Sequence, residues 1–284
     1  MTKRLININD KSVKNIDLNE TQLSILINLD GFSFCIYQLP EKRAVVYQHF
    51  AFEEKAITPE KHLLYIQSIF EENTFLNHSF KKVTAIHQNE LATIVPNELF
   101  NKDNLKEYLK HSIKLLDNDF ISHEKVKKTK NKTVYIPFVN INNFFFNRFG
   151  PFEYFHSFTK LIEIFTTEDS KDTSDKIFLN VNSDDFELLA FKKNHLQVIN
   201  RFGCKTPEDF IYYVLFVSEQ LNFDTEDLKL TLTGDINKHS ERYKILYKYI
   251  RNVEFLSTDK QNLSDAFLKH PKHLDCILLS ESLA

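Results

Sequence analysis

Three short turns carry residues whose type and spacing could do chemistry. In Leu29-Asp30-Gly31-Phe32 a carboxylate and a glycine lie between two β-rich runs. An aspartate there can hold a magnesium ion through water while neighbouring amides meet a phosphate. The same residues also make an ordinary Asp-Gly hairpin turn. About 150 residues later, Asn182-Ser183-Asp184-Asp185 occupies the matching turn. Asparagine brings no charge to a metal and the adjacent glycine is missing, so a cation is expected to be held poorly unless Asp184 or Asp185 substitutes in a shifted register. Thr233-Gly234-Asp235 follows a late strand. Its glycine leaves no Cβ in the way of a base or ribose, and the competing reading is a plain strand-to-helix connection.

Other clusters read as structure. Lys125 to Lys132 holds five lysines without interleaved aromatics and is expected to be a solvated hairpin tip. Phe144-Phe145-Phe146 with Phe149, Phe152, Phe155 and Phe158 is expected to be core between two halves. In His270-Pro271-Lys272-His273 the proline disturbs the helix that would align both rings on a metal. No HExxH, GxSxG or GxxxxGK[ST] pattern occurs.

The elements that must position these turns come in two copies. Ile25 to Ile66 and Ile177 to Val214 each give an apolar strand, a polar turn, two more strands and a Thr-Pro-Glu that opens a helix. In the first copy, runs 23–29, 32–39 and 43–52 predict three antiparallel strands, and Thr58-Pro59-Glu60 predicts an N-capped helix. Strands at 83–87 and 91–95 follow, then a helix over 101–116 with Leu105, Leu109, Ile113 and Leu116 on one face. The second copy predicts strands 176–182, 186–192 and 195–202, a helix from Pro207, a strand at 228–233, a helix over 240–250 and a strand at 253–257. The expectation is an α/β protein of two mixed βββαβα halves: an N-terminal arm or edge segment at 1–20, a first half at 21–143 and a second at 144–284.

Composition narrows the function classes. With 284 residues and 42% hydrophobic content the chain can fill real cores. No apolar run reaches the roughly 20 residues of a membrane span and the N-terminus has no signal-type stretch, which predicts a cytoplasmic protein without membrane contact. A net charge of −3 gives no broad pull on nucleic acid. Three cysteines without CxxC spacing suggest neither a disulfide framework nor a zinc site. Only four glycines occur, where average usage would give roughly 20, and this scarcity weighs against a nucleotide enzyme.

The duplicated unit, with Asp30-Gly31, Asn182-Ser183 and Thr233-Gly234-Asp235, resembles the actin-like ATPase fold, in which two ribonuclease-H-like halves close over a nucleotide. The chain resembles the bacterial domain-of-unknown-function family 3822, a divergent branch of that fold. Val95-Pro96-Asn97-Glu98-Leu99-Phe100 is similar to a segment of its pilus-assembly members. The resemblance implies a phosphate-1 metal position at Asp30 beside Gly31, a phosphate-2 turn at Asn182 and Ser183 where an aspartate is usual, and an adenosine turn at Gly234 and Asp235. The expected protein is a non-catalytic binding or scaffold protein with an unidentified protein partner and no cofactor. The alternative is a weak nucleotide-binding protein or ATPase using magnesium and ATP between the halves.

Overall fold

Two Thr-Pro-Glu sequences open two helices of equal length. In the computed structural model, which describes residues 2–39, 41–166, 172–257 and 263–280, α1 runs Pro59–Glu72 and a later helix runs Pro207–Gln220, 14 residues each. Thr58 Oγ1 accepts from Lys61 N at 3.2 Å; Thr206 and Asp209 form a reciprocal capping box at 3.0 and 3.1 Å. Proline at the first helical position has no amide to leave unsatisfied, and the cap takes one of the remaining orphan donors.

The chain divides into two compact units. One comprises 1–160, 259–270 and 277–284; the other comprises 161–258 and 271–276. In the first, β1 (Thr2–Asn9), β2 (Thr21–Ile27), β3 (Gly31–Gln38) and β4 (Arg43–Phe52) precede α1, and β5 (Lys82–His87) follows it. A three-stranded sheet then forms from β6 (Ala92–Pro96), β7 (Ser122–Lys125) and β8 (Asn131–Tyr135), with the short α2 (Leu105–Leu109) packed on it. Next come α3 (Val139–Phe149), β9 (Glu153–His156) and α4 (Ser157–Phe165). The main sheet has the order β1-β4-β3-β2-β5-β9. Strands β2, β3 and β4 are antiparallel, whereas β5 and β9 run parallel to β2.

The second unit repeats this order. Strands β10 (Lys176–Val181), β11 (Asp185–Lys192) and β12 (His195–Gly203) lead into α5, the Pro207 helix, followed by β13 (Lys229–Gly234), α6 (Glu241–Tyr249) and β14 (Asn252–Phe255). Its sheet is β12-β11-β10-β13-β14, again with three antiparallel strands and two parallel additions. Central strands read as continuous apolar runs because both faces are covered; Leu23, Ile25, Phe34 and Ile36 are fully buried.

Two local expectations are adjusted, and the edge-segment reading of the N-terminus is met. The helix over 101–116 contracts to Leu105–Leu109, because the Asn101 side chain accepts from Asp103 N at 3.0 Å and makes a local turn that competes with helix. Of the phenylalanines expected between the halves, Phe144, Phe145, Phe149 and Phe152 serve the first unit's own core, whereas Phe146 is exposed. Phe70 of α1 meets Phe144, Phe145 and Phe149 with ring centroids 5.1 to 5.9 Å apart. Residues 1–20 supply β1 at the sheet edge. No helix among the described residues is long and apolar enough to cross a membrane.

Candidate functional site

In open sheets with parallel strands, ligands gather at the carboxyl ends of those strands. All three turns singled out from the sequence lie at such ends, and the register defines their equivalence. Asn28 N donates to Gly31 O at 3.3 Å past β2, and Asn182 N donates to Asp185 O at 2.9 Å past β10. Asn28 therefore matches Asn182, and Asp30 matches Asp184. Across the parallel neighbour, Gln88 N donates to Ile27 O at 2.8 Å, and Asp235 N donates to Val181 O at 2.7 Å. Gln88 thus stands where the second unit has Asp235, and His87 stands where it has Gly234.

The first unit's pair is neutral and buried. Asn28 Nδ2 donates to Gln88 Oε1 at 3.2 Å, and the two side chains are 8% and 0% exposed. Asp30 is half-buried in the turn, its carbonyl accepting from Phe52 N at 2.8 Å. Gly31 lies against the next strand: a Cβ there would be 2.7 Å from Phe50 O. His87 Nδ1 accepts from Phe138 N at 3.3 Å while Nε2 donates to Asn142 Oδ1 at 3.0 Å, the arrangement of a neutral ring. Burial holds its pKa at about 3, and holds that of nearby His62 at about 4. One strand further, the Glu124 carboxylate accepts from His156 N at 2.9 Å and Tyr135 OH at 3.0 Å, tying β7 to the end of β9. Burial pushes its pKa up to about 7 against the pull of those hydrogen bonds.

In the second unit the turn itself carries charge and is held by two arginines. Asn182 Nδ2 donates to Asp185 Oδ1 at 2.7 Å, and Arg201 Nη2 donates to Asp185 Oδ2 at 2.7 Å, with both partners of that ion pair at most 10% exposed. Arg242, from the first turn of α6, donates through Nη1 to Asn182 O at 2.8 Å and through Nη2 to Ser183 O at 2.5 Å and Cys204 O at 3.1 Å. This turn therefore aims carbonyl oxygens at a guanidinium. At the neighbouring strand end, Gly234 has φ +85°, and a Cβ would be 2.2 Å from Val181 O. Its amide donates to His273 O at 2.7 Å; the same carbonyl accepts from Thr233 Oγ1 at 2.9 Å. The His273 ring donates through Nε2 to Ile236 O at 2.8 Å and lies 4.4 Å from the Phe255 ring.

Sequence reasoning found the turns but missed Asn28, Gln88 and Arg242, and it singled out His273 only as half of a disfavoured metal pair. A strand-ending Asn-x-x-Gly opposite Asn-x-x-Asp was a signal for Asn28. Nothing local marked Arg242, or His273 as the partner of Gly234, since their partners lie 60 and about 40 residues away. The Lys125 to Lys132 segment is a hairpin tip between β7 and β8, as expected, and Val95-Pro96 ends β6 before a 3-10 turn at Asn97–Leu99.

Comparison with solved structures supports the fold. A protein from Bacteroides thetaiotaomicron VPI-5482 with an actin-like ATPase fold and unknown function superposes with a TM-score of 0.74 at 25% identity, over 90% of this chain and 99% of that one. The PilM–PilN type IV pilus biogenesis complex gives a TM-score of 0.59 at 9% identity over 94% and 98%. No curated protein matches the chain by sequence. A family model described as a protein of unknown function, DUF3822, matches residues 10–253. The chain belongs to the DUF3822 family and has the actin-like ATPase fold.

Proposed function

We propose that this chain is a non-catalytic binding or scaffold protein, with a protein partner, built on an actin-like ATPase fold that has given up its nucleotide. The observation that carries this reading is the engagement of the second unit's strand ends by the chain itself. Arg242 takes the carbonyls of Asn182 and Ser183, and His273 and Val181 take the amides of Gly234 and Asp235. A phosphate near Asn182 would face oxygens already turned toward a cation, and a base against Gly234 would compete with its own strand neighbour. In the first unit Asn28 Nδ2 donates to Gln88 Oε1 while Asn28 Oδ1 is buried without a hydrogen-bond partner, and neither side chain brings charge to a metal. Magnesium and ATP fit these groups poorly.

A solved neighbour of this fold, PilM with PilN, is a complex rather than a lone enzyme, which agrees with a partner-binding role. Weak nucleotide binding is the second reading, favoured by the half-buried Asp30 carboxylate in the first turn. Calorimetric titration with magnesium ATP separates the two. The scaffold reading expects a dissociation constant weaker than about 100 µM, roughly −5.5 kcal/mol; tighter saturable binding overturns it.

A further inference from the structure

The duplication supplies an internal control for what each sheet edge holds. In the first unit the outer side of β4 is covered. β1 pairs with it antiparallel from Thr2↔Phe52 to Asn9↔Val46; Asp10 N donates to Val45 O at 2.8 Å, and Ser264 N donates to Ala44 O at 3.2 Å. Helix α1 also touches β1. In the second unit the corresponding strand is β12, and no strand among the described residues pairs with its outer side. Nine residues of edge backbone are left there, with a bulge near Leu196 but no proline.

The helix beside that edge is prepared for apolar contact. Phe202 of β12 stacks on Tyr213 of α5 at 4.6 Å, where in the covered copy Phe52 lies tilted against Tyr65 of α1 at 4.7 Å. From Tyr213 the rings continue to Tyr212 at 5.2 Å and on to Phe216 at 6.1 Å; these two are 60% and 45% exposed. Counted from the helix-opening proline, α1 has Leu64 and Ser68 where α5 has Tyr212 and Phe216. The uncovered copy therefore carries the larger aromatic shelf.

Charge selects among the strands that would fit. From Leu188 to Pro207 the sequence contains Lys192, Lys193, His195, Arg201 and Lys205 and no acidic residue. Asp185 neutralises Arg201, and Lys192 reaches Leu221 O at 2.8 Å, so Lys193 and Lys205 are the exposed cations at the two ends of β12, Lys205 with Asp209 close by. A second copy paired antiparallel about Ile199 would set Lys193 opposite Lys205 at both ends. Like charges directly opposite are unfavourable, and acidic flanks are the complement.

We propose that the outer edge of β12 takes an added antiparallel strand: an extended segment of a partner protein, apolar on the side facing Tyr212 and Phe216 and acidic at its ends. Backbone hydrogen bonds supply affinity, and the shelf and lysines supply selection. This deepens the reading of the chain as a binding protein and rests on it.

The test uses the full chain and synthetic peptides of eight alternating valines and threonines, flanked at each end by two glutamates or by two lysines, with a scrambled glutamate-flanked control. Fluorescence anisotropy is expected to show the glutamate-flanked alternating peptide binding at least tenfold more tightly than either other peptide. Amide exchange of residues 195–203 should slow when it is bound. Phe216→Asp and the double variant Lys193→Glu, Lys205→Glu should each weaken it at least tenfold with an unchanged melting temperature. Equal affinity for the lysine-flanked peptide, absence of binding at 1 mM, or unchanged exchange over 195–203 overturns the proposal. So does a concentration-dependent dimer in light scattering that Phe216→Asp abolishes, which would assign the edge to a second copy. Magnesium ATP is titrated separately: peptide failure without nucleotide binding removes the edge proposal alone, whereas tight nucleotide binding removes the scaffold reading beneath it.

Discussion

The carboxyl ends of β2 and β5 in the first unit and of β10 and β13 in the second are the same place in two copies of one fold, yet they are closed by different chemistry. The first is closed by neutral amides, Asn28 on Gln88; the second is closed by charge and backbone, through Asp185–Arg201, Arg242 on three carbonyls, and His273 on Gly234. The same strand ends in two copies of one fold are thus engaged by the chain's own groups in two different ways, around the same core of three antiparallel strands with two parallel additions.

The comparison breaks most visibly at the glycines. Gly234→Ala forces a Cβ into Val181 O at a positive φ and is expected to cost about 4 kcal/mol. Gly31→Ala lacks the positive φ and meets Phe50 O at 2.7 Å, so its cost should be about half as large. Chemical denaturation of both variants checks the order; equal costs would mean that the two ends are under the same constraint.

Glu124 tests the first unit's side, where a half-buried carboxylate is desolvated beside Lys160 with no arginine paired to it. Its folded pKa, about 7, lies above the ordinary 4.5, so the folded state binds the proton more tightly than the unfolded chain does. That contribution is complete below about pH 4.5 and is lost as pH rises to about 7. His62 and His87 act in the opposite sense, their depressed pKa values costing stability as pH falls below about 6.5. Glu124→Gln should isolate the carboxylate: relative to the parent, the variant gains stability from pH 5 to pH 8 by on the order of 2 kcal/mol. A difference independent of pH would show that the group is not desolvated as described.

Arg242→Ala should cost about 2 kcal/mol, since three carbonyls lose a charged donor. Asp30→Ala should cost less, about 1 kcal/mol or under, since contacts of a half-exposed turn carboxylate are screened by solvent. Thermal melts of these two variants side by side test whether the second turn is braced and the first is not.

The fold was legible in the sequence because duplication and helix caps are local signals. Two Thr-Pro-Glu openings, 148 residues apart, fixed the equivalence of α1 and α5, and the strand runs before each fixed the antiparallel triplet. β9 was missed: it is four residues long and lies beside a phenylalanine-rich helix whose period masks it. The strand character of residues 2–9 was only half visible, since a polar segment becomes a strand by borrowing the hydrogen bonds of β4. The turns were legible as turns. What fills them was not, because Arg242 and His273 arrive from distant segments: Arg242 has no spacing of its own, and the His270–His273 spacing pointed to a metal rather than to Gly234.

Whether the strand ends are closed by the chain's own groups is decided by a thermal-shift titration of the parent and of Asp30→Ala with magnesium ATP to 5 mM. A ligand at one hundred times its dissociation constant adds about 2.7 kcal/mol of stability, so a 50 µM site would be plainly visible at that concentration. The expected result is that nucleotide either leaves each protein's melting temperature unchanged or raises both equally, by less than the roughly 2.3 kcal/mol that a 100 µM site would add at 5 mM. A saturable rise in the parent's melting temperature that Asp30→Ala abolishes would contradict it.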